Sequence, residues 1–395
     1  MRERDHLRPQ RDQAFAIRVL KRIVADAFRY GCAVLRRSNI PTSIIAMIVS
    51  LHAICWHSAM VCGQEPLPDL LIYQDEAGKT QAIHRAEQWA KRRAQILVRM
   101  QEVMGPLPDA AKKVPLDIRV VEELRMDSFV RQKITYMAEE GDPVPAYLFL
   151  PTAKSGRLPA VVCLQGTNVK LGNGVVAGLE GVQNDRAYAV HLAERGYVTI
   201  APCYVNMGEY KFDAYRRGYA SATMKAIWNH MRAVDLLQSL TQVDPDRIGA
   251  VGHSLGGHNS MFLAAFDERI KCVVSNCGFC SFARYKQGNL AGWSHDGYMP
   301  RIRTAYELSP ARMPFEFHEV VAAMAPRPFL ASAPLRDDNF DVQGVKDCIT
   351  AAAPVYALLG AEDRLTANYP DCDHNFPPDV RAVAYAWLDR WLKQP

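Results

Sequence analysis

The chain has 395 residues, of which 49% are hydrophobic and 23% charged, with a formal net charge of +5. This is ordinary globular usage and excludes a disordered or collagen-like chain. Residues 1–39 carry ten Arg/Lys against four acids, a local +6 that leaves the other 356 residues at −1. That nearly neutral body excludes an electrostatic footprint for nucleic acid.

The N-terminal 63 residues read as a targeting segment. After Arg36-Arg37 the stretch 44–62 is mostly apolar and ends in Val61-Cys62-Gly63 before Gln64-Glu65. A basic flank, an apolar centre and small residues near the exit describe a secretory signal peptide with a long basic lead. A retained membrane anchor is the alternative, because the run is about long enough to span a bilayer. Membrane contact is then expected only through this segment if it stays uncleaved, and the location is secreted or periplasmic.

Residues 64–114 form an N-terminal helical segment and 115–395 the main domain. Trp89, Ile96, Leu97, Met100 and Met104 recur at three- and four-residue steps, which predicts an amphipathic helix stopped by Gly105-Pro106. Strand-like runs follow at 117–123, 130–137 and 144–150, an antiparallel opening to a sheet. From residue 160 short apolar runs at 160–164, 198–201, 248–251, 270–274, 329–331 and 364–369 alternate with helical patterns. Those patterns cover 183–195, 218–240, 255–266, 315–324, 343–359 and 378–393. Such alternation predicts an α/β fold with a mostly parallel central sheet covered by helices on both faces. The irregular stretch 281–314, rich in aromatic and basic residues, is expected to form a cap loop above the sheet.

Seven cysteines remain after residue 63, an odd number that gives no full disulfide framework. Cys163, Cys203 and Cys272 read as small core residues. Cys277-Gly-Phe-Cys280 lacks a second pair for zinc and reads as a turn with a local disulfide. No metal and no cofactor are expected.

Chemistry concentrates at Gly252-His253-Ser254-Leu255-Gly256, directly between a strand run and a helical run. A serine at a sharp strand-to-helix turn needs small neighbours, because backbone and helix pass close by. Serine is a poor nucleophile at neutral pH and requires a base and an orienting acid. The chain order Ser, acid, His is satisfied by Ser254, by Asp337 or Asp338 after the 329–331 run, and by His374 after the last strand. Spacing from the strand's last small residue favours Asp337, with Asp338 as the alternative acid. The backbone N–H of Leu255 and one from Gly166 or Thr167 are candidate oxyanion donors. His253, Trp293, Tyr298 and Arg284 are candidate substrate-binding residues, with Arg301 beside them in the cap loop. His253 and His258 are expected to pack or line the pocket, and His295 and His318 are second choices for an imidazole at the site.

These motifs resemble the α/β-hydrolase superfamily over about residues 115–393. The runs 252–258, 333–340 and 371–378 are similar to the branch holding acetyl xylan esterases, dienelactone hydrolases and prolyl oligopeptidases. The resemblance implies ester or amide hydrolysis without a cofactor, and carries Ser254, Asp337 and His374 over as the triad and Leu255 as an oxyanion donor. Dienelactone hydrolases use cysteine where this chain has serine, and 64–115 is far too short for the propeller of a prolyl oligopeptidase. The expectation is a serine carboxylesterase that works through an acyl-enzyme on a small-molecule or carbohydrate ester, such as an acetylated polysaccharide. A single-domain serine peptidase is the nearest alternative. A non-catalytic envelope binding protein is the alternative from another class.

Overall fold

The computed structural model describes residues 67–152, 156–179 and 184–393. The signal-peptide or anchor segment expected at 1–63 lies outside these residues. Among the described residues no helix is long and apolar enough to cross a membrane.

A small hairpin opens the described chain, β1 (Ile72–Gln74) against β2 (Thr80–Ala82), and α1 (Ala86–Met104) follows. The periodic residues Trp89, Ile96 and Met100 of α1 are buried, and Gly105 closes the helix at φ 93°. Leu70, Ile83 and these α1 residues belong to the same apolar core as the sheet, so residues 67–104 dock onto the main body. At this contact Arg92 of α1 meets Glu319 at 2.5 Å.

Nine strands build the central sheet. β3 (Arg119–Arg125), β4 (Phe129–Glu139) and β5 (Asp142–Pro151) run antiparallel at one edge. Then come β6 (Leu158–Leu164), α2 (Tyr188–Glu194) and β7 (Val198–Pro202). Next are α3 (Ala222–Ser239), β8 (Val243–His253), α4 (Leu255–Phe266) and β9 (Ile270–Asn276). The chain continues through α5 (Arg301–Thr304), α6 (Phe317–Ala323), β10 (Phe329–Ser332) and α7 (Val342–Leu358). It closes with β11 (Leu365–Asn368) and α8 (Pro378–Leu392). The order across the sheet is β11-β10-β9-β8-β6-β7-β5-β4-β3. Pairing is parallel from β11 to β7, and β5 joins β7 antiparallel.

Strand alternation decides which helix covers which face. In β6, Ala160, Val162 and Leu164 join the core shared with α1, α3, α4, α6 and α7. Val161 and Cys163 point the other way, into a second core made with α2 and α8. Both faces of β6 are therefore buried, which is why its sequence reads as a continuous apolar run. The fold is the doubly covered α/β arrangement expected from the alternation. Two helices are shorter than their periodicity suggested. α2 starts only at Tyr188, and α3 starts after Ser221, whose hydroxyl accepts from the Met224 N–H at 2.9 Å and caps it.

β6 has β7 on one side and β8 on the other. The connections after β6 and β8 therefore leave neighbouring strands at the same carboxyl edge, the place where open α/β sheets hold their sites.

Candidate active site

Ser254 leaves the end of β8 with φ 56° and ψ −120°, a left-handed conformation that costs a non-glycine residue energy. Its neighbours make the turn feasible. A Cβ on Gly252 would lie 2.1 Å from the Gly256 carbonyl oxygen, and one on Gly256 would lie 1.8 Å from the Leu164 carbonyl oxygen. No side chain fits at either position, so the two glycines bring β6, β8 and α4 together around the serine. Leu255 begins α4, and its backbone N–H is among the first-turn donors that have no intrahelical acceptor.

The loop after β6 passes directly over this turn. A Cβ on Gly166 would lie 3.3 Å from the His253 carbonyl oxygen and 3.6 Å from the Ser254 Cβ. The next residue, Thr167, shares a hydrogen bond between its hydroxyl and that of Tyr298. Tyr298 thus ties the cap loop to the loop after β6, and its ring packs edge-on against Tyr204.

Asp337 and His374 meet where the loops after β10 and β11 converge. Both Asp337 carboxylate oxygens lie 2.9 Å from His374 Nδ1. The carboxylate also accepts from the backbone N–H groups of Asn339 at 2.8 Å and Phe340 at 3.0 Å. Burial pushes the Asp337 pKa up. The His374 hydrogen bond and charge, with the two N–H donors, outweigh burial and hold it below the usual carboxylate value. A charged acceptor there makes His374 Nδ1 the donor and leaves Nε2 as a free acceptor. Asp338 is exposed, and its carbonyl oxygen accepts from Lys286 Nζ.

A cavity of about 420 Å³ joins these parts, lined by Gly166, Thr167, Asn168, Arg186, Tyr188, His253, Ser254 and His374 among others. Tyr188 donates to the Leu164 carbonyl oxygen from beneath the loop after β6. His253 accepts at Nδ1 from the Asn276 side-chain amide at 2.7 Å, and its ring centroid lies 4.8 Å from that of His374. Complete burial drives its pKa well below the ordinary value, so it stays neutral and brings no competing charge beside His374.

Cap-loop residues divide into two groups. Tyr298 touches the site through its hydrogen bond with the Thr167 hydroxyl and does not itself line the cavity. Trp293 is turned inward, 2% exposed, and packs on His258, Tyr285, Phe317 and Phe340. Arg284 is paired with Asp347 at 2.9 Å on α7, and Arg301 is exposed at the start of α5. None of these three lines the cavity. His258 sits under the cap loop with Nδ1 3.0 Å from the Gly278 carbonyl oxygen, and burial lowers its pKa to about 3. His295 packs on Tyr298 outside the cavity, and His318 Nε2 contacts the Pro68 carbonyl oxygen.

Three further residues lie beside the candidate triad without a sequence signal that places them there. Asn276 and Cys277 lie at the end of β9, where register against His253 and Ser332 brings them under the site. Donor atoms of Cys277, Asp337 and His374 lie within 4.8 Å of one another. Burial, with the Asp337 charge next, pushes the Cys277 thiol well above its ordinary range, so it stays a protonated thiol beside the carboxylate. The local disulfide expected between Cys277 and Cys280 is absent, since both are free. Their side chains serve different surroundings, Cys277 the Asp337 pocket and Cys280 the core. Arg186 reaches the cavity from the short turn before α2, within the stretch 183–195 where the pattern predicts one helix.

A family model described as "Glucuronyl esterase, fungi" matches residues 142–360, more than half of the chain. The chain belongs to this family. It is an ester hydrolase of the α/β-hydrolase fold. The match spans β5 to the end of α7 and so includes Ser254 and Asp337 but not His374. "Putative hydrolase YtaP" of Bacillus subtilis (strain 168) is 26% identical over 319 residues, covering 77% of this esterase and 99% of that protein. "Carbohydrate esterase MZ0003", from an unknown prokaryotic organism, is 25% identical over 150 residues, 35% of this chain and 34% of its own length. Among solved structures, a glucuronoyl esterase from Solibacter usitatus superposes with a TM-score of 0.67 at 19% identity. That superposition covers 82% of this esterase and 98% of the neighbour. At that identity the likeness is one of fold.

Proposed function

We propose that the protein hydrolyses a carboxylic ester of a carbohydrate through an acyl-enzyme on Ser254. The observation that carries this reading is the bidentate contact of Asp337 with His374 Nδ1, at the rim of the cavity that also holds Ser254. With Nδ1 committed as donor, Nε2 is the atom available to take the Ser254 proton as Oγ attacks the acyl carbon. The N–H groups of Leu255 and of Gly166 or Thr167 would stabilise the oxyanion that develops. His374 then returns the proton to the departing alcohol, and water clears the acyl group by the same path.

Family membership and the printed names of its relatives support a sugar or a sugar acid as substrate. Alkyl esters of glucuronic acid and acetylated xylan oligosaccharides are the two classes to compare. Export of the protein, with the apolar stretch 44–62 acting as a signal, is the accompanying proposal on location. N-terminal sequencing of protein recovered outside the cell would test it.

The decisive assay compares methyl glucuronate, acetylated xylo-oligosaccharides, 4-nitrophenyl acetate and peptide nitroanilides with the full chain and with Ser254→Ala. Sugar-ester turnover that falls by about 10⁴-fold or more in the variant is expected. Unchanged turnover in Ser254→Ala, or peptides cleaved faster than every ester, would overturn the reading.

A further inference from the structure

His253 and His374 are the histidines on the wall of the Ser254 cavity. The company of the His253 ring nitrogens fixes where its hydrogen sits. Asn276 Nδ2 lies 2.7 Å from His253 Nδ1 and 3.0 Å from the Asn375 carbonyl oxygen, with the Cys277 sulfur at 3.3 Å. A carbonyl oxygen can only accept, so the end of the Asn276 amide that faces it is the NH2 and not the oxygen. The same NH2 therefore donates to His253 Nδ1. A ring nitrogen that accepts carries no hydrogen, so the imidazole is neutral and its one hydrogen is on Nε2.

Nε2 stands across the ring from Nδ1, next to Cδ2. That edge faces the loop after β6, where a Cβ on Gly166 would lie 3.4 Å from Cδ2. Among the described residues Nε2 has no hydrogen-bond partner, and it is not enclosed as the unpaired Nδ1 atoms of His230 and His318 are. Its hydrogen opens onto the cavity that the ring lines. Two neighbouring hydroxyls are already engaged, Tyr188 with the Leu164 carbonyl oxygen and Thr167 with Tyr298. Once a substrate displaces water from the cavity, an N–H left without an acceptor weakens binding. An oxygen of the substrate has to take the place of that water. The ester carbonyl is not this oxygen, since the backbone N–H groups of Leu255 and of the loop after β6 are its donors in the reading above.

We propose that His253 is a specificity-determining residue whose Nε2–H donates to an uncharged oxygen of the carbohydrate, a hydroxyl or an ether, beside the scissile ester. The inference rests on the carbohydrate-esterase reading and deepens it, because it names the contact that tells a sugar from a ring without hydroxyls. The His253 and His374 ring centroids are 4.8 Å apart. A neutral donor with a fixed hydrogen holds the sugar there without adding a charge beside the residue that handles the proton.

The test is nitrogen-15 NMR of the full chain carrying Ser254→Ala and labelled histidine, from about pH 5 to pH 8. The probes are methyl D-glucuronate, acetylated xylotriose and methyl cyclohexanecarboxylate, the last a ring ester without hydroxyls. His253, identified by the resonance that His253→Asn removes, is expected as the Nε2–H tautomer throughout. That resonance shifts with at least one sugar ester, which binds about ten-fold tighter than the cyclohexane ester. His253→Asn keeps an oxygen toward Asn276 but has no donor at the Nε2 position, whereas His253→Gln restores an amide N–H near it. In the Ser254→Ala background the ten-fold advantage is lost with Asn and largely kept with Gln. An Nδ1–H tautomer overturns the proposal, as does a His253 resonance unmoved by both sugar esters or equal binding of the cyclohexane ester. A Gln variant that keeps no more of the advantage than the Asn variant also overturns it, since that marks a ring that only packs against His374. The titration needs no turnover. A failure of the ester assay and a failure of this contact are therefore read separately.

Discussion

The His374 ring and the Asp337 carboxylate are 37 residues apart in sequence and touch through one nitrogen, Nδ1, at 2.9 Å from each oxygen. The adjacent Asp338 is exposed and makes no contact with the His374 ring. Asp337→Asn would therefore lower kcat/KM by about 10³- to 10⁴-fold, because an amide presents an N–H to Nδ1 and favours the wrong tautomer. Asp338→Asn should stay within about three-fold of the parent. Steady-state kinetics on one soluble ester separates the two, and equal effects would remove Asp337 from the proposed triad.

The same carboxylate has a signed pH signature. Its folded-state pKa lies below the unfolded value of 3.8, with burial opposing the shift and the His374 contact prevailing. The stability it contributes is then fully present above the unfolded value and lost as pH falls through the lower folded one. Thermal unfolding of the parent and of Asp337→Asn from pH 7 to pH 2.5 checks this. The gap in Tm should hold to about pH 5 and narrow below it.

Gly256 is expected to tolerate nothing larger. An added Cβ would meet the Leu164 carbonyl oxygen at 1.8 Å, and this neighbour is backbone in the middle of the sheet. Gly256→Ala should cost roughly 4 kcal/mol or more and reduce soluble yield sharply. Chemical denaturation would read it. Gly360, with φ 63° and open space around it, should by contrast lose no more than about 1–2 kcal/mol on the same change, from backbone strain alone.

Tyr298→Phe removes the hydroxyl partner of Thr167 and leaves the ring packing on Tyr204 and His295. Loss of a single hydrogen bond at a half-exposed position should cost about 1 kcal/mol of stability. Because Thr167 belongs to the proposed oxyanion loop, kcat should fall about ten-fold with little change in KM. A rise in KM with kcat intact would make Tyr298 a substrate contact instead.

Outside the cavity wall, Lys225 is fully buried against Asp142 at 2.5 Å and Glu139 at 3.5 Å. Tyr210 adds its hydroxyl to Asp142 at 2.9 Å. Lys225→Met leaves two buried acids without their shared cation and should cost about 3–5 kcal/mol. The corresponding fall in Tm is on the order of 10 °C. Lys225→Met with Asp142→Asn should recover part of that loss, as the charge left behind is smaller.

Much of this architecture is legible one segment at a time. Apolar runs of strand length separated by helical periods define the doubly covered sheet, because both signals are local and follow from side-chain direction along the backbone. The elbow is legible too: Gly252 and Gly256 are there because strand and helix backbones approach too closely for a Cβ. What local pattern cannot carry is direction and company. Trp293, Tyr298 and Arg284 share one aromatic, basic loop, yet Tyr298 bonds to Thr167 of the cavity wall while Trp293 fills the core. Arg186 and Asn276 have no motif of their own, and the Cys277–Cys280 spacing points to a disulfide rather than to the Asp337 pocket, so strand order and register decide where they lie.

By itself the chain determined its strands, its helices and the residue types able to do acyl transfer, since backbone geometry and proton chemistry act over a few residues. Folding in three dimensions decided which of two adjacent aspartates faces the imidazole, which cysteine lies beside it and which arginine lines the cavity. Those outcomes depend on the meeting of loops from non-adjacent strands, and distances between such loops are set only when the sheet closes up its neighbours.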